Sequence, residues 1–430
     1  MEGGLGITRL NLSGESRALL LGMLAVLVAI IGSTLAIVLW PEGAGGGGSS
    51  ALVPEPALAA GGLHTCVVND ASLIECWGEN ADGQFGTGDF ERYRSPALAL
   101  GIAEAVAVTA AERHTCALTA EGLVYCWGGL NANGEIGDGT FLEGRTLPAR
   151  VALLEDVVQI DAGQFHTCAV TNDGAAYCWG SNGDGQIGNG SGAQRPELLP
   201  QAVVGLESGV VAVSAGGRST CALLEDGTVQ CWGSNALGQL GNGRRGDTTE
   251  PVSVLGLDGD ELLSDVLEIS SGWGHTCALI DGGDIVCWGL NDFGQVGNGE
   301  APFPAGGIAG SGGGTPADGV DVPVRVERLA GPAASVSAGG FHTCALLEGG
   351  RVQCWGANDV GQLGFSIEEI PEDESLLPGL VPVDVDRLPE ASVVSAGYYH
   401  TCALTEIGVM CWGEGFGFIA QVVPDVLVKE

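Results

Sequence analysis

Residues 220–233 read TCALLEDGTVQCWG. In an extended strand alternate side chains point to opposite faces, so Cys221 shares a face with Leu223, and Val229 shares one with Cys231. Glu225-Asp226-Gly227 suits a three-residue hairpin loop with glycine in the left-handed position, which sets Cys221 opposite Cys231 and Leu223 opposite Val229. The segment predicts two antiparallel strands whose register its own spacing defines.

The same unit occurs seven times. Its first half is HTCVV (64–68), HTCAL (114–118), HTCAV (166–170), STCAL (219–223), HTCAL (275–279), HTCAL (342–346) and HTCAL (400–404); its second half is a Cys-Trp-Gly tripeptide starting at Cys76, Cys126, Cys178, Cys231, Cys287, Cys354 and Cys411. Two residues after the first Cys and two before the second, all fourteen positions are apolar, from Val68 and Ile74 in the first unit to Leu404 and Val409 in the last. That is the mark of a buried strand face. The turn glycine is replaced only in the first unit, by Ser72; the last unit is one residue shorter and needs a different turn. Six units continue as Asn-x-x-Gly-(Gln/Glu)-apolar-Gly, as in NALGQLG (235–241), whereas the seventh has only EGFGF. A spacing of 50 to 67 residues between first cysteines is too long for a solenoid rung and suits a four-stranded propeller blade. The expected fold class is all-β, a seven-bladed β-propeller preceded by one N-terminal transmembrane helix.

Each unit carries two cysteines and none of the 14 is left over. Directly opposed residues on antiparallel strands stand roughly 4.5 to 5.5 Å apart at Cα, a span a disulfide can bridge. The expected bridges are Cys66–Cys76, Cys116–Cys126, Cys168–Cys178, Cys221–Cys231, Cys277–Cys287, Cys344–Cys354 and Cys402–Cys411. Buried reduced thiols are the competing reading, and zinc is disfavoured because Cys-x-x-Cys knuckles are absent.

Residues 18–40, ALLLGMLAVLVAIIGSTLAIVLW, form an uncharged run of 23 residues, long enough to span a bilayer. Arg9 and Arg17 precede it and no Lys or Arg follows until Arg92, so the positive-inside rule places the N-terminus in the cytoplasm and the rest outside, in a periplasm or at a cell surface. A cleaved signal peptide would have a shorter apolar region. The expected organisation is a short cytoplasmic tail (1–17), a transmembrane helix (18–40), a Gly/Ser/Pro-rich tether (41–57) and the repeats (58–430). Outward placement supplies the oxidising compartment in which disulfides persist. With 53 acidic against 16 basic residues, the net charge of −37 disfavours nucleic acid as a partner, since binding a phosphate backbone takes Lys and Arg.

The six histidines, His64, His114, His166, His275, His342 and His400, share one motif position that Ser219 takes in the fourth unit. No carboxylate pairs with them in the repeat, so they are expected to hydrogen-bond within their own blades rather than act as catalysts or metal ligands. The Trp after each second Cys is expected to pack. Segments such as NGDGQIGNG (182–190) echo calcium loops but lack the closing Glu, and a tight turn explains them better. No nucleophile elbow, zincin helix or phosphate loop occurs; neither enzymatic activity nor a cofactor is expected. Binding is expected on loops that differ between blades, of which two insertions stand out. Residues 300–323 include Phe303, Asp318 and Asp321, and residues 366–379 include Glu368, Glu369, Glu372, Asp373 and Glu374. The partner class is protein, with glycan as the other ligand.

The combination of apolar-x-apolar-Ser-Ala-Gly-Gly, His-Thr-Cys-Ala-Leu, Cys-Trp-Gly-x-Asn and Gly-Gln-Leu-Gly resembles the regulator of chromosome condensation repeat family over residues 58–430. The resemblance implies a seven-bladed propeller. For function it implies less, because members include a nuclear exchange factor for a small GTPase, a secreted bacterial β-lactamase inhibitor and many protein-binding domains. The paired cysteines depart from the cytosolic and nuclear pattern and agree with an exported one. A regulator that acts on a small GTPase as an exchange factor is the alternative expectation. Since the first unit lacks a clear leading strand, the C-terminal QVVPDVLVKE (421–430) is expected to supply it.

Overall fold

The computed structural model describes residues 58–424, apart from 94, 143, 193–194, 301–318 and 366–378. Seven four-stranded antiparallel sheets follow one another, each built from strands consecutive in the chain. The fourth illustrates all of them: β13 (Val210–Ala215), β14 (Ser219–Leu224), β15 (Val229–Gly233) and β16 (Thr248–Ser253). The register is the expected one, with Cys221 opposite Cys231 and Leu223 opposite Val229. Gly227 takes a left-handed φ of 77°, and Ser72 adopts the same conformation in the first blade at 57°. In the last blade Thr405 pairs directly with Gly408, so the missing residue is absorbed by a two-residue turn, Glu406-Ile407. All fourteen cysteines are fully buried and bridged as expected, with Cα separations of 4.0 to 4.1 Å.

Two expectations are corrected. The C-terminal segment does not complete the first blade: β28 (Gly417–Val422) pairs with β27 (Gly408–Gly413) as the outer strand of the seventh. The first blade has its own inner strand, β1 (Leu58–Ala60), paired with β2 (His64–Val68). Its three residues include Leu58, fully buried, and this shortness hid it from a search for a Val-x-Val-Ser-Ala pattern. Among the described residues there is no helix, and none long and apolar enough to cross a membrane; the expected span at 18–40 lies outside them.

The histidines supply the second correction, because they bond between blades and not within them. His64 Nε2 lies 2.8 Å from Thr115 Oγ1, His166 2.8 Å from Thr220, His275 2.8 Å from Thr343, His342 2.7 Å from Thr401, and His400 2.7 Å from Thr65, which closes the ring. The cause lies in the turn after each Trp. The carbonyl of Gln84, for example, accepts from both Thr115 Oγ1 and Trp127 Nε1 of the next blade, at 2.9 and 2.8 Å. The threonine proton is thus committed to that carbonyl, and its oxygen is left to accept the histidine Nε2–H. Before five of the six histidines the loop passes close to the ring and to the next blade at a glycine: a Cβ on Gly272 would overlap Gly339 O and His275, whereas Ala111 takes this place before His114. The apolar residue of each turn, Phe85, Ile136, Ile187, Leu240, Val296 or Leu363, is fully buried between blades.

The seventh unit has no such turn, and the seam it makes with the first blade is poorer for it. Trp77 Nε1, the counterpart of Trp127 Nε1, finds no partner among the described residues. Among the described residues the Thr65 hydroxyl bonds only to His400 Nε2 and Cys402 Sγ. We expect Trp232→Phe to cost about 1 kcal/mol more than Trp77→Phe, because only the former removes a donor from an occupied carbonyl. Denaturant midpoints of the two full-length variants provide the check, and equal losses would contradict it.

Candidate binding face

The inner strands line a central channel with small side chains. Ser or its replacement at one position reaches the backbone of the next blade: Ser395 Oγ accepts from Ala60 N at 2.9 Å, Ser214 Oγ from Ser271 N at 2.9 Å, and Asp161 Oδ2 from Ala215 N at 2.8 Å. Burial raises the pKa of Asp161 against the pull of four hydrogen bonds, from Ala215, Ala162, Thr109 and Ser214. Gln159 clamps the neighbouring strand by taking Val213 N–H and giving to Val213 O, at 2.9 and 3.1 Å. Glu268 occupies the equivalent place two blades on, accepts from Val336 N–H, and is pushed by burial up to about 8. A protonated Glu268 has the donor and acceptor that Gln159 uses, which accounts for a carboxyl group in this wall.

At one end the channel widens into a cavity of about 530 Å³. Of the residue pairs that precede each His or Ser219, Gly62-Leu63, Glu112-Arg113 and Tyr398-Tyr399 line it in full, and three others contribute Gln164, Trp273 and Phe341. Because the third strand ends opposite the start of the second, as His64 opposite Gly78, the segments after Cys-Trp-Gly reach the same end and add Glu79 and Asp82 to the lining, with Phe293 beside it against Phe341. Trp273 and Tyr398 line both channel and cavity.

The two sides of this face differ chemically. Blades five to seven contribute a connected aromatic cluster: Trp273 to Phe341 at 5.5 Å between ring centroids, Phe293 to Phe341 at 5.7 Å, Phe341 to Tyr399 at 6.5 Å and Tyr398 to Tyr399 at 6.3 Å. None of the five is fully buried, and Tyr399 is 37% exposed. Blades one and two contribute Glu79, Asp82, Glu112 and Arg113. Gln164 Nε2 donates to Glu112 Oε2 at 2.5 Å, while Arg113 bridges Glu112 at 3.5 Å and Asp82 at 3.7 Å. Burial and then the Glu112 charge raise the phenol pKa of both Tyr398 and Tyr399; Glu414 and Asp359 add to the effect on Tyr399.

Of the loop residues named from the sequence, Asp321 is described: it lies in β20 (Val320–Arg325) and pairs with Arg245 of the preceding blade at 2.8 Å, a structural contact. Phe303, Asp318, Glu368, Glu369, Glu372, Asp373 and Glu374 lie outside the described residues. The expected packing role of the motif tryptophans holds: six of the seven are fully buried, and each of these six donates to a turn carbonyl. The face itself is not among the sites expected from the sequence. Its signal was available as the pair before each His-Thr-Cys, which changes from unit to unit while its flanks repeat.

A closed propeller with a recessed, chemically divided face at one end of its channel belongs to the class of ring-shaped binding scaffolds. The chain belongs to the regulator of chromosome condensation (RCC1) repeat family: the RCC1-like domain matches residues 49–312, and the repeat matches 282–346 and 349–404. It is similar to the ultraviolet-B receptor UVR8 of Arabidopsis thaliana, 32% identical over 83% of this chain and 76% of that one. It also resembles the secretion-regulating guanine nucleotide exchange factor of Bos taurus, 29% identical over 80% of this chain and 75% of the relative. The crystal structure of Prp20p from Saccharomyces cerevisiae superposes with a TM-score of 0.69 at 24% identity, covering 82% of this chain and 86% of Prp20p, a likeness of fold.

Proposed function

We propose that this chain is a membrane-anchored, extracytoplasmic propeller that acts as a protein-binding or regulatory module and takes its partner on the face formed before the histidines. The observation that carries the binding reading is the aromatic cluster of Trp273, Phe293, Phe341, Tyr398 and Tyr399, held partly open beside a cavity. Clustered, partly exposed aromatics are what the energetic centres of protein interfaces are made of. Relatives named as a receptor and as an exchange factor support a regulatory role. The uncharged run at 18–40 and the pairing of every cysteine support outward placement.

The likeness to the exchange factor, and a solved structure whose subject is described as binding Gsp1p and histones, favour a second reading as a regulator of a small GTPase. That reading requires the propeller and a GTPase in one compartment. Labelling intact cells that carry the exposed substitution Glu225→Cys with a membrane-impermeant maleimide separates the two, because the native cysteines are buried. Outward placement gives labelling without lysis; labelling that requires lysis would overturn it. For the face, a partner crosslinked to the full-length chain should be lost in Phe341→Ala/Tyr399→Ala and kept in Glu121→Gln, whose hairpin lies at the opposite end of the channel. Retention in the double variant would reject the face.

A further inference from the structure

The cavity beside the aromatic cluster is neither a plain apolar slot nor an acidic patch. One wall presents Trp273, Phe341, Tyr398 and Tyr399, and the facing wall presents Glu79, Asp82 and Glu112. Among the described residues Arg113 is the one cation in the lining, and it holds its two carboxylates loosely, at 3.5 and 3.7 Å. Arg92 meets Glu79 at 3.3 Å from outside the lining and is 69% exposed. Asp359 and Glu414 extend the negative field to Tyr399. Three carboxylates of the lining therefore share one guanidinium group within it and a second, Arg92, beside it. An anion is repelled there, and a neutral apolar ligand would leave the carboxylates without return for their partial desolvation. A cation that lies over ring faces and ends at a carboxylate gains from both walls.

We propose that this cavity receives a lysine side chain displayed by the protein partner, its stem against Trp273 and Phe341 and its ammonium between Glu112 and the Tyr398 hydroxyl. The inference rests on the reading of this face as the binding face. Lysine is favoured over arginine by the state of Glu112. One of its oxygens accepts from Gln164 and the other faces Arg113, so the carboxylate cannot offer the free two-oxygen edge that a guanidinium fork takes. An ammonium needs only one remaining lone pair on each of several acceptors. The Tyr398 hydroxyl has no hydrogen-bond partner among the described residues and supplies one such acceptor at the junction of cavity and channel. The overall charge of −37 draws any cation toward the surface, so general attraction must be separated from a site.

The test titrates the full-length protein in detergent micelles with the peptide acetyl-Gly-Ser-Lys-Ser-Gly-amide, its Nε-acetyl-lysine form and its arginine form, read by saturation-transfer NMR. The lysine peptide is expected to bind, and acetylation, which removes the charge and keeps the stem, is expected to weaken it by about tenfold or more. Trp273→Ala and Glu112→Gln should each give a similar loss, and Glu121→Gln none. Glu112→Gln keeps the shape of the wall, so it reports even if Trp273→Ala fails to fold. Equal binding of the acetylated peptide, binding indifferent to both cavity variants, tighter binding of the arginine form, or no binding of lysine into the millimolar range would each overturn the proposal. If Phe341→Ala/Tyr399→Ala still abolishes partner crosslinking while the lysine peptide fails, the binding face stands and only the lysine site falls.

Discussion

Acidification from pH 7 toward pH 4 is expected to unfold the ring through its histidines. All six are buried, and burial holds their pKa values far below 6.5: to about 3 for His64, His166, His275 and His342 and about 4 for His114 and His400. Neighbouring histidines lower His64 further, while Glu135 and Glu112 partly offset the burial of His114. The sign follows from proton counting. Between pH 6.5 and the native values the unfolded chain binds more protons than the folded one, so stability is present above pH 6.5 and is lost as pH falls through this window. At pH 4.5 each histidine with a native value near 3 costs about 2.5 kcal/mol, and the six together approach the whole stability of an ordinary domain. In four of them the added proton has nowhere to go, because Nδ1 of His64, His166, His275 and His342 meets no acceptor among the described residues. Glu268 acts in the opposite sense: its value of about 8 makes the native state the better proton binder between pH 4.5 and 8, so its contribution is lost as pH rises. Exposed carboxylates also shed repulsion in acid, and a substitution must isolate the histidine part. Ser219 shows what the position accepts. His166→Ser/His342→Ser should be less stable than the parent at pH 7.5 and should lose less stability per pH unit below 6.5, by up to two protons' worth, about 2.7 kcal/mol. Urea melts at half-unit steps give both quantities, and parallel pH dependence in parent and variant would reject the mechanism.

The hairpin at the heart of each blade was legible because its determinants are local. Alternation at Cys221, Leu223, Val229 and Cys231 and a glycine at the turn leave one register, and the disulfide follows from it. The joints between blades were not legible, since they depend on where a turn sits against the next sheet. His166 and Thr220 are 54 residues apart, and nothing within one repeat indicates that the Gln186 carbonyl fills the threonine's donor and thereby turns the histidine outward. The seam carried a partial signal: the loss of the Asn-x-x-Gly-Gln turn was visible, but its consequence for Trp77 appears only when the seventh blade meets the first. The binding face was the least legible part. Glu112 and Tyr398 stand on one cavity because the ring closes, and in the sequence two-residue differences between repeats are slight beside the long insertions at 300–323 and 366–379. A variable pair in a repeat array is exposed by the array itself: its flanks are fixed by packing, so what varies between them faces something other than a neighbouring blade.

Removing the seven disulfides is expected to abolish stable folding, the largest single effect available in this chain. Each bridge closes a loop of nine or ten residues, for which the chain-entropy argument gives roughly 2.5 to 3 kcal/mol. The loops do not overlap, one lying in each blade, so their effects on the denatured chain add to a first approximation. The sum, about 20 kcal/mol, exceeds the roughly 5 to 15 kcal/mol by which folded domains are stable. Burial makes the route specific. Every cysteine is fully buried, so dithiothreitol should reduce the native ring slowly, at a rate set by opening, and reduce the urea-unfolded chain at once. After reduction and removal of urea under reducing conditions, near-ultraviolet circular dichroism should stay flat and no cooperative melt should return; reoxidation should restore both. The single-bridge variant Cys221→Ala/Cys231→Ala should remain folded and lose about 2.5 to 3 kcal/mol, which separates a failure of additivity from a failure of the premise. A reduced full-length chain that still melts cooperatively within a few degrees of the oxidised one would show the bridges to be dispensable. It would also remove the main physical support for outward placement, because a ring that folds without its disulfides could work in a reducing compartment beside a GTPase. A ring that cannot fold without them has its site of action chosen by its redox chemistry.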